Sequence, residues 1–361
     1  MASENIIVRP MQPEEKPEVH AVMRQAFPLI QQLFFSWSPH VLVAEQEGEL
    51  LGAIVLKLYD LPEDRKGGLV SWVFTAPQAR GLKLGQRLTE AGFEFFEQEG
   101  CDEILACVEG FNTSSSKIFA TRGFEMLSFV EQLRRYGIGI VSLWWQIFHF
   151  VDIGHFIWAR PVPGRESSQW GMWLGSLLAN ALVASLALWR GNGFRTTGIS
   201  PIALSLILLI VFALRTLGMR LAAYTQGMKV QFRSWESGFP LSIFIAAAAG
   251  SFFPMPGGLY PISYRWSYGK DQAAHAKIAL AGVLPTLLLA WAAWALLRFG
   301  GLPPVAAAPI RLAQHILKPL ALFDIALPFF PFASFNGRRI WDWNKLLWGI
   351  LAVAAVAVFM L

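Results

Sequence analysis

The chain has 361 residues, of which 54% are hydrophobic and 15% charged, and its mean hydropathy is +0.43. Ordinary soluble domains carry about a quarter charged residues, so this composition excludes a wholly soluble protein and a disordered one. Two cysteines, Cys101 and Cys107, exclude a disulfide scaffold and an all-cysteine metal cluster.

The formal charge of +5 hides a split. Residues 1–135 hold 13 basic and 19 acidic side chains; residues 136–361 hold 17 and 6, with 13 of the 15 tryptophans. A basic, Trp-rich, apolar stretch suits a membrane interface and argues against a nucleic-acid partner. Two domains are expected: an acidic head over 1–135 and an integral-membrane helical domain over 136–361. Residues 1–20 are polar, with Glu4, Glu14, Glu15 and Glu18 and no apolar run. The head is therefore expected in the cytoplasm and the body in the inner or plasma membrane. Arg134 and Arg135, just before the first apolar run, fit that orientation.

In chain order, residues 6–9 read as a strand and 13–27 as a helix, with Pro13 at its start and acidic residues in its first turn. Runs 40–45 and 50–59 are apolar and β-rich, joined as a hairpin over 46–49. A strand over 69–75, a helix over 85–99, a strand over 103–108, a helix over 114–121 and a last strand over 125–133 follow. This order predicts a mixed α/β domain around one sheet, mainly antiparallel.

The segment 77–88, PQARGLKLGQRL, joins a strand to a helix through glycines. Amide groups and the dipole at a helix N-terminus attract anions, and glycine lets backbone approach a phosphate closely. The same pattern also suits a plain strand–turn–helix connection. A second segment, Asn112-x-x-Ser115-x-x-x-Phe119-x-x-x-Gly123-Phe124, follows the fifth strand. With Val43-Ala44-Glu45…Gly52 and the turn, these segments resemble the GNAT family of acyl-CoA-dependent N-acyltransferases over about residues 5–130. In the family's turn pattern, Arg/Gln-x-x-Gly-x-Gly/Ala, Arg80 and Gly85 match and Lys83 replaces the middle glycine.

The resemblance implies a cofactor, acetyl-CoA or a longer acyl-CoA. Its pyrophosphate would rest on the amides of Leu82, Lys83, Leu84, Gly85 and Gln86, beside Arg80 and Gly81. Val73, Phe74 and Thr75 would splay from their neighbour and bond the pantetheine, and Asn112 would contact the cofactor arm. The family often places a tyrosine at Phe119 to protonate the departing thiolate. A phenylalanine cannot do so; another group, water, or a non-catalytic role remain. Glu109, after the fifth strand, leads the candidates for general base, with Tyr59, Asp60 and Ser71 behind it. Cys107 reads as a small core residue. Phe27, Leu29, Ile30, Leu33, Phe34, Phe35 and Trp37 crowd the segment after the first helix. They suit a hydrophobic acceptor, a long acyl group or docking on the membrane body.

Seven apolar runs follow, at 137–159, 170–189, 199–217, 239–254, 278–299, 310–332 and 346–361, and about six spans are expected at roughly 20 residues each. The fourth is short and the sixth is broken by Pro319, Pro328 and Pro331. His149, Asp152 and His155 fall at i, i+3 and i+6 of the first run. On one helical face they would form a metal site or a polar cluster paired within the bundle. No resident metal is expected. Arg215–Ala223, Phe232–Gly238, 253–260, 277–285 and 323–344 resemble the membrane core of site-2-type intramembrane metalloproteases. In that resemblance Arg215 and Met219 stand at the two zinc histidines, Thr216 at the glutamate and Asn336 at the aspartate, so the protease site would be dead.

Together these readings give a membrane-bound N-acyltransferase acting on a membrane-associated amine. The alternative is an inactive membrane scaffold or regulator that binds acyl-CoA and a membrane partner. A third reading is a metal-dependent enzyme on His149, Asp152 and His155 with His315 or Asp324.

Overall fold

The computed structural model describes residues 6–79, 81–150, 152–161, 168–191, 201–262 and 266–361. They form two compact units. The first comprises residues up to 108, then 114–149 and 156–164; the second comprises 109–113, 150–155 and 165–361.

The first unit is built on a sheet with strand order β1-β2-β3-β4-β5-β7-β6. Its strands are β1 (Ile6–Pro10), β2 (His40–Gln46), β3 (Glu49–Leu61), β4 (Arg65–Thr75), β5 (Glu103–Glu109), β6 (Glu125–Met126) and β7 (His155–Arg160). Helices α1 (Lys16–Ala26), α2 (Leu29–Gln32), α3 (Leu84–Gln98) and α4 (Thr113–Ala120) accompany them. The hairpin between β2 and β3 turns on Glu47 and Gly48, both at positive φ, the geometry whose twist matches two antiparallel strands. Leu84, Leu88, Phe93 and Phe96 of α3 join Ile54, Leu56 and Phe74 in one core.

One ladder is short. β4 and β5 pair in parallel only from Gly67↔Glu103 to Val70↔Ala106. On its other side β4 pairs with β3 all the way to Gly52↔Thr75, but the register skips Ser71 between Leu56↔Val70 and Val55↔Trp72. An extra residue bends and twists its strand. The bulge falls directly after the last β4–β5 pair, so residues 71–75 leave β5 and keep only β3.

Two expectations fail here. Residues 125–133 are not one strand. β6 is two residues long, and α5 (Phe129–Tyr136) starts at Ser128, whose side chain and that of Glu131 form a reciprocal capping box. Ser-x-x-Glu is a helix start signal that the apolar run obscured. Residues 137–159 are not a membrane span. They hold α6 (Ile140–Ile147), ended by Phe148 at φ 63°, and then β7. A strand buried on both faces is a continuous apolar run, which periodicity cannot tell from a helix. The first unit thus continues well past residue 135. Buried Glu103 ties α5 to the sheet, accepting from Tyr136 Oη at 2.6 Å and Arg135 at 2.8 Å.

The second unit is mainly helical: α7 (Gln169–Arg190), α8 (Pro201–Thr225), α9 (Phe239–Ala249), α10 (Gln272–Phe299), α11 (Pro304–Ala326), α12 (Gly337–Trp343) and α13 (Lys345–Met360). A small hairpin of β8 (Val230–Arg233) and β9 (Gly258–Pro261) accompanies them. Among the described residues, three helices are long and apolar enough to cross a membrane: Gln169–Arg190, Ile202–Thr225 and Gln272–Phe299. The six expected spans reduce to these three because α9 has 11 residues and α13 has 16, short of the ~20 a span needs. α11 covers the sixth run only to Ala326 and carries Pro309 and Pro319 inside it; Pro328 and Pro331 follow its end.

The core of this unit holds a buried ion pair. Arg215 Nε donates to Asp324 Oδ2 at 2.8 Å, a second guanidinium nitrogen donates to Oδ1 at 3.2 Å, and a third reaches the Gly257 carbonyl at 3.1 Å. Asn336 donates its backbone N–H to Oδ1 and its side-chain amide to Oδ2. Every carboxylate oxygen is therefore doubly met. Removing one member of such a pair strands the other, at about 3–5 kcal/mol. Asp324→Ala is expected to lower the apparent melting temperature of the detergent-purified protein. The double variant Arg215→Met/Asp324→Leu should recover most of that loss.

Candidate active site

The turn after β4 has the shape an anion needs. Gly81 lies at φ +91° and Lys83 at φ 57°, and Lys83 is the N-cap of α3. Its carbonyl accepts from the Gln86 and Arg87 amides at 3.1 and 3.2 Å, so the helix opens on Leu84 and Gly85, where N–H groups lack acceptors one turn back. A Cβ built on Gly81 or Gly85 meets nothing within 4 Å. The space over the turn is open, Lys83 is exposed and Gln86 is exposed. The expected cradle narrows, because the Leu82 and Gln86 amides already donate to the Ala79 and Lys83 carbonyls at 3.4 and 3.1 Å; the Leu84 and Gly85 amides, the helix dipole and a cation are what fit a pyrophosphate. Leu82 is half-buried and Leu84 fully buried in the α3 contact with the sheet. Arg80 lies outside the described residues.

Val73, Phe74 and Thr75 close β4 in the segment that has left β5. Strand edges freed in this way offer backbone groups to an extended ligand. An aromatic wall stands against them. Phe27 packs edge-on to Trp72 at 5.2 Å and to Phe74 at 6.1 Å; Phe35 packs on Trp72, Phe74 and Trp37 at 5.6, 6.0 and 5.0 Å. Leu29 and Leu33 of the same segment are more than three-quarters exposed. The apolar segment after α1 thus serves two purposes: its aromatics line the end of β4, and its leucines face outward.

Glu109 ends β5 and opens the 109–113 segment of the second unit. Its Oε2 accepts the Phe111 N–H at 2.9 Å and its Oε1 accepts Ser334 Oγ at 3.4 Å. Burial pushes its pKa upward, against the pull of His155, Arg339 and these two hydrogen bonds. A half-buried carboxylate moved toward neutral pH is what a general base requires. Asn112, in the same segment, is exposed, with its N–H bonded to the Glu109 carbonyl at 2.9 Å.

The structure does not bring Tyr59 and Asp60 to this region. Tyr59 pairs with Gly67, seven residues along β3 from the Gly52↔Thr75 pair, or about 23 Å at ~3.3 Å per residue. The Tyr59 ring covers Gly67, and its buried hydroxyl has no hydrogen-bond partner among the described residues. Burial, with Tyr136 and Glu103 nearby, raises its pKa well above the phenol range, so it stays neutral. Asp60 is exposed opposite Lys66. Phe119 is buried in a ring cluster, 5.3 Å from Phe124 and 6.1 Å from Phe93; it is core, and its ring carries no proton to give.

His149, Asp152 and His155 share no helix: His149 follows α6 and His155 begins β7. Buried His149 lies 3.5 Å from Cys107 Sγ through Nδ1. The Asp152 carbonyl accepts from His155 and from Ser237. Asp324 is occupied by Arg215, and His315 lies nine residues before it on α11, ~14 Å away at 1.5 Å per residue. The single helical face expected for His149, Asp152 and His155 is therefore not formed. The second unit does gather Arg215, Met219 and Asn336, with Asn336 Nδ2 at 3.0 Å from Asp324 and 3.9 Å from Met219 Sδ. Sequence reasoning missed Ser334 and Arg339. A buried arginine in an apolar stretch, Arg339, was the available signal.

In the first unit the middle strands of a sheet part, and a glycine turn leads onto a helix. Residues 7–124 match the family model described as acetyltransferase (GNAT) family, and this part of the chain is a GNAT acetyltransferase domain. The mycothiol acetyltransferase of Sanguibacter keddieii is 32% identical over 96 residues, 26% of this chain and 30% of that protein. The mycothiol acetyltransferase of Renibacterium salmoninarum is 27% identical over 97 residues, 27% of this chain and 29% of that one. The chain thus spans about 30% of the length of these curated relatives. Among solved structures, N-acetylglutamate synthase from Neisseria gonorrhoeae, complexed with coenzyme A and N-acetyl-glutamate, aligns over 43% of this chain and 34% of that one. The identity is 20% and the TM-score 0.33.

Lys83 holds a left-handed conformation that glycine adopts freely and other residues adopt at about 1–2 kcal/mol. Lys83→Gly is expected to stabilise the protein by about 1 kcal/mol after the larger unfolded-state entropy of glycine is allowed for. Thermal or denaturant unfolding of the purified chain measures it.

Proposed function

We propose that the chain is an acyl-CoA-dependent N-acyltransferase, carried by its first unit, that acts on the amine of a membrane-associated acceptor. The observation that carries this reading is the joint placement of the freed β4 end and the open turn at Gly81–Gln86. The pyrophosphate of the cofactor rests on the turn, with Arg80, Lys83 and the first amides of α3 as its partners. The pantetheine runs along Val73–Thr75. The acetyl-transfer names of the relatives favour acetyl-CoA as donor.

In the reaction, a neutral amine attacks the thioester carbonyl. The C–N bond forms, the oxyanion is met by a backbone N–H near Phe74, and the C–S bond breaks. Glu109 takes the proton of the amine. Coenzyme A leaves as thiolate and is protonated by water, because Phe119 has no proton to give. That omission forgoes a gain of about 10²–10⁴-fold, and slow turnover follows. The aromatic wall at Phe27, Phe35 and Trp72 favours an apolar acceptor, and the three membrane-length helices favour one held in a bilayer.

A second reading keeps the helical unit as a scaffold derived from a site-2-protease-like core. What favours it is the convergence of Arg215, Met219 and Asn336 around Asp324, where a guanidinium occupies the centre. An arginine repels a cation, so this unit contributes no metal chemistry at that place.

Calorimetric titration of the full chain with acetyl-CoA and with a long-chain acyl-CoA tests the first reading. Acetyl-CoA is expected to bind, and Gly85→Glu to weaken it at least about tenfold by setting a carboxylate against the phosphates. The variant should fold, since a side chain at Gly85 enters open space. Failure of the folded wild-type protein to bind either ligand would overturn the acyltransferase reading.

A further inference from the structure

The 109–113 segment carries the proposed base, and the supports that hold it come from the second unit, to which it belongs. The Gly110 N–H donates to the Gly154 carbonyl at 3.0 Å. Gly154 lies at φ +77°, and a Cβ there would collide with Ser334 Oγ, so a glycine is needed to let Ser334 approach. Ser334 then donates to Glu109. The ring of Phe111 is gripped by Tyr260 at 4.7 Å and by the Arg339 guanidinium at 3.9 Å over its face. Tyr268 donates its N–H to Thr113 Oγ1 at 3.2 Å.

Arg339 itself is immobilised. It is buried, it donates to the Ala333 carbonyl at 2.6 Å and to the Ser334 carbonyl, and its Nε has no acceptor among the described residues. No carboxylate forms an ion pair with it among the described residues, so its charge is not cancelled at short range. A fixed cation in a weakly screening interior acts strongly on the nearest anion.

We propose that Ser334 and Arg339 are positioning residues for Glu109: Ser334 aims the carboxylate through its hydroxyl, and Arg339 clamps the Phe111 ring and the Ser334 carbonyl that hold the segment in place. The function assigned to the clamp rests on the reading of Glu109 as general base.

The groups that face Glu109 are His155 at the start of β7, Arg339 and Arg338 on α12, Tyr260 on β9 and Tyr268 before α10. Burial raises both phenols above their ordinary range, so they remain neutral. Arg338 is held by Asp342 at 2.8 Å, which leaves Arg339 as the arginine of this pair with no carboxylate partner among the described residues. The sign follows. Burial alone raises the pH at which Glu109 ionises; Arg339 and Ser334 lower it. Losing either moves ionisation to higher pH.

The test uses the full chain in detergent, with Ser334→Ala, Arg339→Met and Arg339→Lys. Infrared difference titration against Glu109→Gln reads the protonated carboxyl band directly. The midpoint is expected to move to higher pH in Ser334→Ala and Arg339→Met and to return in Arg339→Lys. In parallel, kcat/KM for acetyl transfer from acetyl-CoA to benzylamine as probe should fall about tenfold on the acid side of its pH profile in Arg339→Met and recover as the pH rises, the scale of one nearby charge. A merely structural role would lower the rate at every pH. An infrared midpoint unchanged in both Ser334→Ala and Arg339→Met overturns the clamp. A moved midpoint with an unmoved rate profile supports the clamp and overturns Glu109 as the base.

Discussion

The four-pair ladder between β4 and β5 is the constraint on which the head depends. A parallel pair held from Gly67↔Glu103 to Val70↔Ala106 fixes the two strands at one end only. The Ser71 bulge then turns β4 away while β3 continues to support it. The cost is a run of backbone that has lost one neighbour, and unpaired backbone is satisfied by whatever ligand or water fills the gap. The gain is an open strand end that leads straight into the Gly81–Gly85 turn. Were the ladder continued to Thr75, the proposed path of the pantetheine would be filled by β5.

The turn shows how a local violation marks a site. Lys83 in the left-handed region is a position where glycine is cheaper. Strain of this kind persists where the surroundings fix it, and it collects at functional places. Here it places a cation at the mouth of α3, beside the turn proposed to hold the phosphates.

Much of this was legible in the sequence. Alternating runs and glycine turns match β1 through α4 to within a few residues, the short α2 excepted, because propensity, periodicity and turn chemistry agree there. Agreement broke between residues 125 and 160. Ser128 and Glu131 signal a helix within an apolar run, and Phe156, Ile157, Trp158 and Ala159 are buried on both strand faces. Such a run has no alternation, so its periodicity is that of a membrane segment. The site divided in the same manner. The turn and the freed strand follow from local motifs. The surroundings of Glu109 come from residues 154, 260, 334 and 339, which no local pattern associates. Tyr59 failed for a related reason: spacing along a strand says nothing of which end of a sheet a ligand uses.

The second unit carries its own internal logic. Asn180 pins Met255 through both its backbone groups at 2.8 Å, and Arg215 with Asp324 fixes α8 against α11. Polar groups buried among apolar helices are tolerated only when fully met, and these are. The account stands on where the cofactor lies. Hydrogen exchange of the full chain with and without acetyl-CoA measures that residue by residue. Protection confined to amides 71–76 and 81–87 is the expected result. Ligand binding that leaves both segments unprotected would contradict the account.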